Sequence, residues 1–499
     1  MDLALFIEGF ANSLTLTNLG FGLLGTILGT LVGVLPGIGP ALAISLLLPV
    51  TLMIEPTSAL IMFGAIYYGT MFGGSTTSIL LNAPGESGSV MTTIEGNKMA
   101  RNGRASAALA TAAIGSFVAG AIATGIVAIA APSIAWIGIR MTPADFFALM
   151  ILAFGTVGSI LGQSLTRGLL SLTFGLGIGL VGLDAQSGSA RLTFGIPQAF
   201  DGIETVVLIV SLFALGEALY VALYGKAVIL DKSTFKGLAW MTKADFKRSW
   251  GPWLRGTAIG FPTGVLPAGG SELPTFLSYA LEKRLAKKKH NEFGHGAIEG
   301  VAGPEAANNA NAAGAMVPLL ALGLPTSATA AVLLVAFQQF DIKPGPLLFT
   351  DQPLLVWTLI ASLFIGNFLL LIINLPLVGI WAKLLNIPAP FLYGGIVTFA
   401  MVGAYVLNGS GFDLWAAIVI GVIGLLFRKF GYPITPLILG VILGPMAEQQ
   451  FRRALQGSAG DPSILISTPF TWAVYVILIG VLVGPQIWKL VRNSRTKEK

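Results

Sequence analysis

The sequence has no cysteine, only two histidines, and charged side chains at just 10% of its 499 positions. The missing cysteine excludes a disulfide framework, a thiolate metal site and a cysteine nucleophile. His290 and His295 are too few for a histidine-rich metal centre. A soluble chain carries about 25% charged residues. This one is 54% hydrophobic, with a mean hydropathy of +0.81. No Lys or Arg precedes Lys98, so the N-terminus lacks the basic region of a cleavable signal peptide. A G-x-x-x-x-G-K-[ST] stretch is also missing, which excludes ATP hydrolysis by a phosphate-cradling loop on this chain.

What is present is apolar and heavily punctuated. Long apolar stretches recur from Leu19 to Gln486, many near the ~20 residues that span a bilayer. The expected fold class is therefore an all-α polytopic membrane protein embedded in lipid. Sixty-three glycines and 27 prolines imply broken or closely packed helices. The net charge of +6 comes from Lys and Arg in short loops, which is an orientation signal and not a nucleic-acid footprint.

One phrase occurs twice. Gly25-Thr26-x-x-Gly29-x-x-x-Gly33-Val34-Leu35-Pro36 returns 231 positions later as Gly256-Thr257-x-x-Gly260-x-x-x-Gly264-Val265-Leu266-Pro267, and Gly39 and Gly270 keep the offset. A weaker echo follows each copy, Leu81-Asn82-Ala83-Pro84 and Leu322-Gly323-Leu324-Pro325. Duplicated apolar segments interrupted by Gly and Pro are a pointer to a secondary transporter's binding site.

Basic residues cluster at Lys98–Arg104, Lys226–Arg255, Lys283–Lys289, Arg428-Lys429 and from Lys489 onward, and these read as cytoplasmic. The second copy has basic flanks on both sides, Arg255 and Lys283, too close together for two full spans. It therefore reads as a re-entrant hairpin from the cytoplasm. The first copy has no basic flank and opens outside. The fold expected is two inverted repeats, each with a re-entrant helical hairpin and an interrupted transmembrane helix, moving elevator-like. Residues 1–225 form the first repeat, 226–255 a basic cytoplasmic linker with a helix on the membrane surface, and 256–499 the second repeat with a basic tail. Eleven crossings put the N-terminus in the periplasm and the C-terminus in the cytoplasm, with Arg452 and Arg453 as the main violation.

The hairpin tips, Pro36-Gly37-Ile38-Gly39-Pro40 and Pro267-Ala268-Gly269-Gly270-Ser271, would each expose a helix N-terminus suited to a carboxylate. Gly25, Gly29 and Gly33 read as helix-packing glycines. The interrupted helices hold Ser75, Thr76, Thr77 and Asn82 in one half, and Glu305, Asn308, Asn309, Thr326 and Ser327 in the other. Their hydroxyls, amides and freed carbonyls suit a carboxylate substrate and Na⁺, with Glu305 and Asn309 as the candidate Na⁺ site. Glu305 is an acid inside a span, open between Na⁺ ligand, proton carrier and cap of a helix begun after Pro304. Glu272 and Glu299 read as partners of Lys283 or Arg284. No arginine falls in these segments to count carboxylates. Gly85-Glu86-Ser87-Gly88 matches a G-x-S-G protease pattern with His295 as base, but Pro84 already explains it as a helix break.

These residues resemble a family. Gly33 to Pro40, Tyr68 to Thr77 and Asn82-Ala83-Pro84-Gly85 are similar to the first-half signature of the large membrane subunit of tripartite tricarboxylate transporters. Pro304 to Asn309 with Leu322 to Ser327 resemble its second half, with Ala268 in place of glycine and Thr326 after the proline as departures. The resemblance implies a bacterial inner-membrane permease working with a small membrane subunit of about four helices and a periplasmic solute-binding protein. It implies uptake of di- or tricarboxylates such as citrate, or related organic acids, driven by Na⁺ or H⁺, with no other cofactor and no catalysis. A binding-protein-independent carrier or channel is the alternative, and an intramembrane serine protease a remote one.

Overall fold

The computed structural model describes residues 3–35, 38–160, 165–184, 186–224, 239–266, 270–286, 292–384, 388–480 and 482–483. Helix α1 (Leu3–Ser13) precedes α2 (Leu16–Val34), which carries the first glycine phrase, and α3 (Pro40–Thr51) and α4 (Pro56–Leu81) follow. One 3-10 turn, Ser87–Ser89, leads into α5 (Val90–Met99), and a π turn joins it to α6 (Ala105–Gly138). Then come α7 (Pro143–Ile160), α8 (Leu165–Gly179), α9 (Thr205–Val210) and α10 (Gly216–Tyr224). The second phrase lies in α11 (Lys243–Val265), followed by α12 (Glu272–Ala286), α13 (Glu299–Leu322), α14 (Ala328–Gln339), the short α15 (Leu348–Asp351) and α16 (Pro353–Leu384). The long helices close with α17 (Ala389–Asn408), α18 (Gly411–Lys429) and α19 (Ile434–Gly457). Among the described residues the strands are limited to Gly182–Leu183 paired antiparallel with Ala190–Arg191.

Among the described residues, six helical stretches are long and apolar enough to cross a membrane, from Leu16–Val34 to Gly411–Lys429. Helices α3 and α12 have 12 and 15 residues, or about 18 and 22 Å at 1.5 Å per residue. Both are shorter than a hydrocarbon core of about 30 Å.

The repeated phrase is a packing ridge. Gly25, Gly29 and Gly33 leave room for the backbone carbonyls of Met62, Ile66 and Thr70 on α4. Gly256, Gly260 and Gly264 do the same for Gly303, Ala307 and Asn311 on α13. A Cβ would keep these backbones apart, so glycine at every fourth residue sets the close approach. The second echo is a pair of matching helix stops. Asn82 ends α4 at φ 57° and Gly323 ends α13 at φ 67°, both left-handed caps of the kind Asn and Gly favour. Pro84 and Pro325 then prevent resumption in register.

Several expectations are corrected. Residues 1–18 read as a mere flank, yet they contain α1, whose Gly9 seats against the backbone of Trp357 and Thr358 on α16. Pro304 does not start a helix: α13 runs through it from Glu299, so Glu305 caps nothing. Inside the expected linker, 226–255, helix α11 begins at Lys243. Glu299 is bound by Arg248 at 2.9 Å and Glu282 by Arg255 at 2.7 Å, whereas Glu272 hydrogen-bonds Ser87. Arg452 is neutralised by Asp184 at 3.0 Å and Glu448 at 2.5 Å.

The halves are tied by a buried carboxylate that sequence reasoning passed over. Glu95 on α5 accepts from Tyr279 Oη at 2.9 Å and from the N–H groups of Gly294, Gly296 and Ala297 at 2.6, 2.8 and 3.1 Å. Three backbone donors just before α13 thus depend on one side chain. Glu95→Ala orphans them in a buried setting, with an expected loss of about 3 kcal/mol. Thermal unfolding of the detergent-solubilised protein measures this, and unchanged stability would refute the role.

Candidate functional site

The ends of the broken elements meet at one cavity of about 520 Å³. Gly39, Pro40, Ala41 and Leu42 line it from the start of α3, and Gly270, Ser271 and Glu272 from the start of α12. Pro84 to Ser87 line it from the break after α4, and Ser327, Ala328 and Thr329 from the break after α13. The two copies of the phrase are therefore each followed by the same pieces at the cavity, a helix start and a helix break. Ile434 and Thr435 add the start of α19, while Glu217 on α10 and Arg428 on α18 close the wall.

The chemistry of this wall follows from helix geometry. The first turn of a helix has no internal partners for its N–H groups and carries partial positive charge. Four α-helices, α3, α12, α14 and α19, begin on the cavity. Proline stands at N1 of α3 and in the cap of α19. Ser327 caps α14 by accepting from the Ala330 N–H at 3.2 Å, which leaves the N–H groups of Ala328 and Thr329 at the cavity wall. Helix N-termini of this kind suit anions, and the same wall also carries three carboxylates, Glu86, Glu217 and Glu272. Arg428 adds a guanidinium that pairs with the buried Glu217 and lies 4.9 Å from the Tyr220 ring. It is the one Lys or Arg among the described lining residues. Arg428, read as a cytoplasmic flank, thus also lines the cavity from the end of α18.

The sequence-predicted residues divide into groups. Gly39, Pro40, Gly270, Ser271 and Ser327 line the cavity. Pro36, Gly37, Pro267 and Gly269 lie outside the described residues. Thr77 and Thr326 hold the ends of α2 and α11, donating to the Val34 carbonyl at 2.5 Å and to the Gly264 carbonyl at 2.8 Å. Each hydroxyl thereby satisfies a carbonyl freed at the end of α2 or α11. Thr76 is buried on α4, and Asn82 is the exposed cap of that helix.

Glu305, completely buried, accepts from Ser75 Oγ at 2.5 Å and from Thr92 Oγ1. It links α13 to α4 and α5 and is not part of the cavity wall. Asn309 donates to Ser116 Oγ at 2.7 Å and to the Glu305 backbone carbonyl at 3.1 Å. Asn308 instead donates to Glu86 Oε1 at 2.8 Å. Sequence reasoning missed Glu86, Glu217 and Arg428. Two acids inside apolar segments were the available signal, because each demands a partner. Ser87 meets Glu272, and no histidine lines the cavity among the described residues.

Apolar helices long enough to span a bilayer, with helix starts and charged side chains converging on one cavity, fit a multi-pass helical membrane protein with an internal site. The chain belongs to the tripartite tricarboxylate transporter TctA family, whose profile matches residues 19–439. That family comprises transporters, the large subunits of a system with a small membrane partner and a binding protein. An uncharacterized 52.8 kDa protein of Agrobacterium vitis, in the TAR-I ttuC′ 3′ region, is 44% identical over 489 residues, covering 98% of this chain and 97% of that protein. A second uncharacterized A. vitis protein, in the TAR-II ttuC′ 3′ region, is 49% identical over 234 residues, 47% of this chain and 95% of its own length. No solved structure matches the chain.

Proposed function

We propose that this chain is the permease subunit of an importer of di- or tricarboxylates or related organic acids. It acts in the bacterial inner membrane, is coupled to a Na⁺ or H⁺ gradient, and is fed by a periplasmic solute-binding protein. The observation that carries this reading is the convergence of four helix starts and Arg428 on one cavity of about 520 Å³, within the range of small-ligand sites. Such a wall recognises carboxylates by backbone N–H donors and one guanidinium. Matching glycine ridges, breaks and tips support two repeats, and the charge distribution supports their inverted insertion. The hairpins and broken helices then form the unit that carries the site across the bilayer, elevator-like, with the N-terminus periplasmic and the C-terminus cytoplasmic.

The test is uptake of labelled citrate and tartrate into proteoliposomes holding this chain with its small membrane subunit and binding protein. Accumulation is expected only under an inward Na⁺ or H⁺ gradient, and it should fall at least about tenfold without the binding protein. Uptake undiminished without the binding protein would favour an autonomous carrier, and equilibration without any gradient a channel.

A further inference from the structure

A second constellation lies at the edge of the cavity, centred on Gly88. A side chain there would run into three oxygens at once: Ser271 Oγ at the start of α12, Asn308 Oδ1 on α13, and Glu86 Oε1 in the break after α4. These oxygens come from three separate elements and from both halves of the chain, and a glycine keeps the space between them clear.

Asn308 is completely buried, and its Oδ1 has no hydrogen-bond partner. Its amide nitrogen is committed to Glu86 at 2.8 Å, which fixes the amide so that the oxygen is aimed at Gly88. A buried carbonyl oxygen left unpaired is costly and is an explicable feature where it serves a ligand. Glu86 is itself 8% exposed and is held in place by a capping box with Ser89.

The donor set decides the ligand class. Carboxylate, amide carbonyl and hydroxyl oxygens are hard ligands that suit hard cations. Of the three oxygens around Gly88, that of Glu86 belongs to a carboxylate and the other two are neutral, while the nearby Glu272 carboxylate accepts from Ser87. That balance matches a monovalent cation, because divalent sites gather more carboxylates.

We infer that Glu86, Asn308 and Ser271 form a Na⁺ site around Gly88. The proposal rests on the reading of the chain as an ion-coupled importer and names where the ion is held. It places the ion at the unpartnered Asn308 Oδ1 and not at Glu305, whose carboxylate accepts from Ser75 and Thr92. The position also supplies a coupling route. Glu86 and Ser271 line the cavity, so a cation here joins tip and break of opposite halves and neutralises a carboxylate beside the anionic substrate's site.

The experiment is equilibrium binding of radioactive sodium to the purified full chain in nanodiscs, without substrate, against a K⁺ background. Saturable binding is expected for the unmodified chain. Gly88→Ala places a methyl among the three oxygens and should raise half-saturating Na⁺ about tenfold or more, as should Asn308→Ala. Ser271→Ala removes one hydroxyl just before α12 with no change of backbone and should do the same in a protein that still elutes as a single species, so misfolding cannot mimic the result. Sodium binding unchanged in Gly88→Ala and Ser271→Ala but lost in Glu305→Gln would overturn the site in favour of Glu305. No saturable binding to the unmodified chain would also overturn it, while H⁺-driven carboxylate uptake would leave the transport reading standing. Sodium binding without carboxylate uptake under any gradient would do the reverse.

Discussion

Gly29→Val and Gly260→Val are each expected to leave almost no assembled protein in the membrane. At Gly29 an added Cβ lies 2.6 Å from the carbonyl oxygen of Ile66 and 2.8 Å from its Cα. At Gly260 it lies 2.8 Å from both the carbonyl carbon and the Cα of Ala307. Those neighbours are helix backbone and cannot rotate aside as a side chain would, so the helices must separate. Separation cannot stay local, because Gly25 and Gly33, or Gly256 and Gly264, seat in the same two ridges. In lipid the loss is serious, since helix association there depends on close packing and not on a hydrophobic gain. A cost of about 3 kcal/mol or more follows. The yield of monodisperse full-length protein on size exclusion should fall about tenfold. Gly20→Ala is the matched control: nothing lies within 4 Å of a Cβ there, and alanine gains about 1 kcal/mol of helix propensity. Normal yield from either valine variant would show that the ridges are not what joins α2 to α4 and α11 to α13.

The parts of the fold legible in the sequence are those set by local chemistry. Gly and Pro act on the backbone where they stand, so the tips, the ridges and the two helix breaks follow from composition and spacing. The echo at Asn82 and Gly323 could be read as punctuation because both residue types tolerate the left-handed cap. What was not legible is side-chain pairing across the chain. Ser75 finds Glu305 230 residues away, and Asn308 finds Glu86 across 222. Those pairs depend on how each helix is rotated about its axis, which no spacing rule specifies. The contact of Arg428 with Glu217 was illegible for another reason. A basic residue at the end of an apolar segment reads as an orientation signal, and only the fold shows that it answers Glu217. Helix α1, at 11 residues, is too short to register as a span, so its docking on α16 left no pattern.

Arg428→Ala should reduce carboxylate uptake at least about a hundredfold, the loss expected when one partner of a charged contact is truncated. The guanidinium is 40% exposed, while its partner Glu217 is 6% exposed; the arginine therefore reaches toward the cavity from an acid sunk in the wall. An arriving carboxylate meets a planar fork with donors to spare beyond those given to Glu217. Alanine removes that attraction and also leaves the Glu217 charge buried and unpaired, where it repels the substrate. The two effects are separable. Arg428→Met with Glu217→Gln removes both charges, sparing the fold the unpaired acid, and should restore yield but not uptake. Arg428→Lys keeps the charge without the bidentate geometry and should recover about a tenth of the rate. If the double variant transports at the normal rate, Arg428 serves only to neutralise Glu217, and the helix starts alone hold the anion. If it yields folded protein without uptake, the guanidinium is a substrate contact.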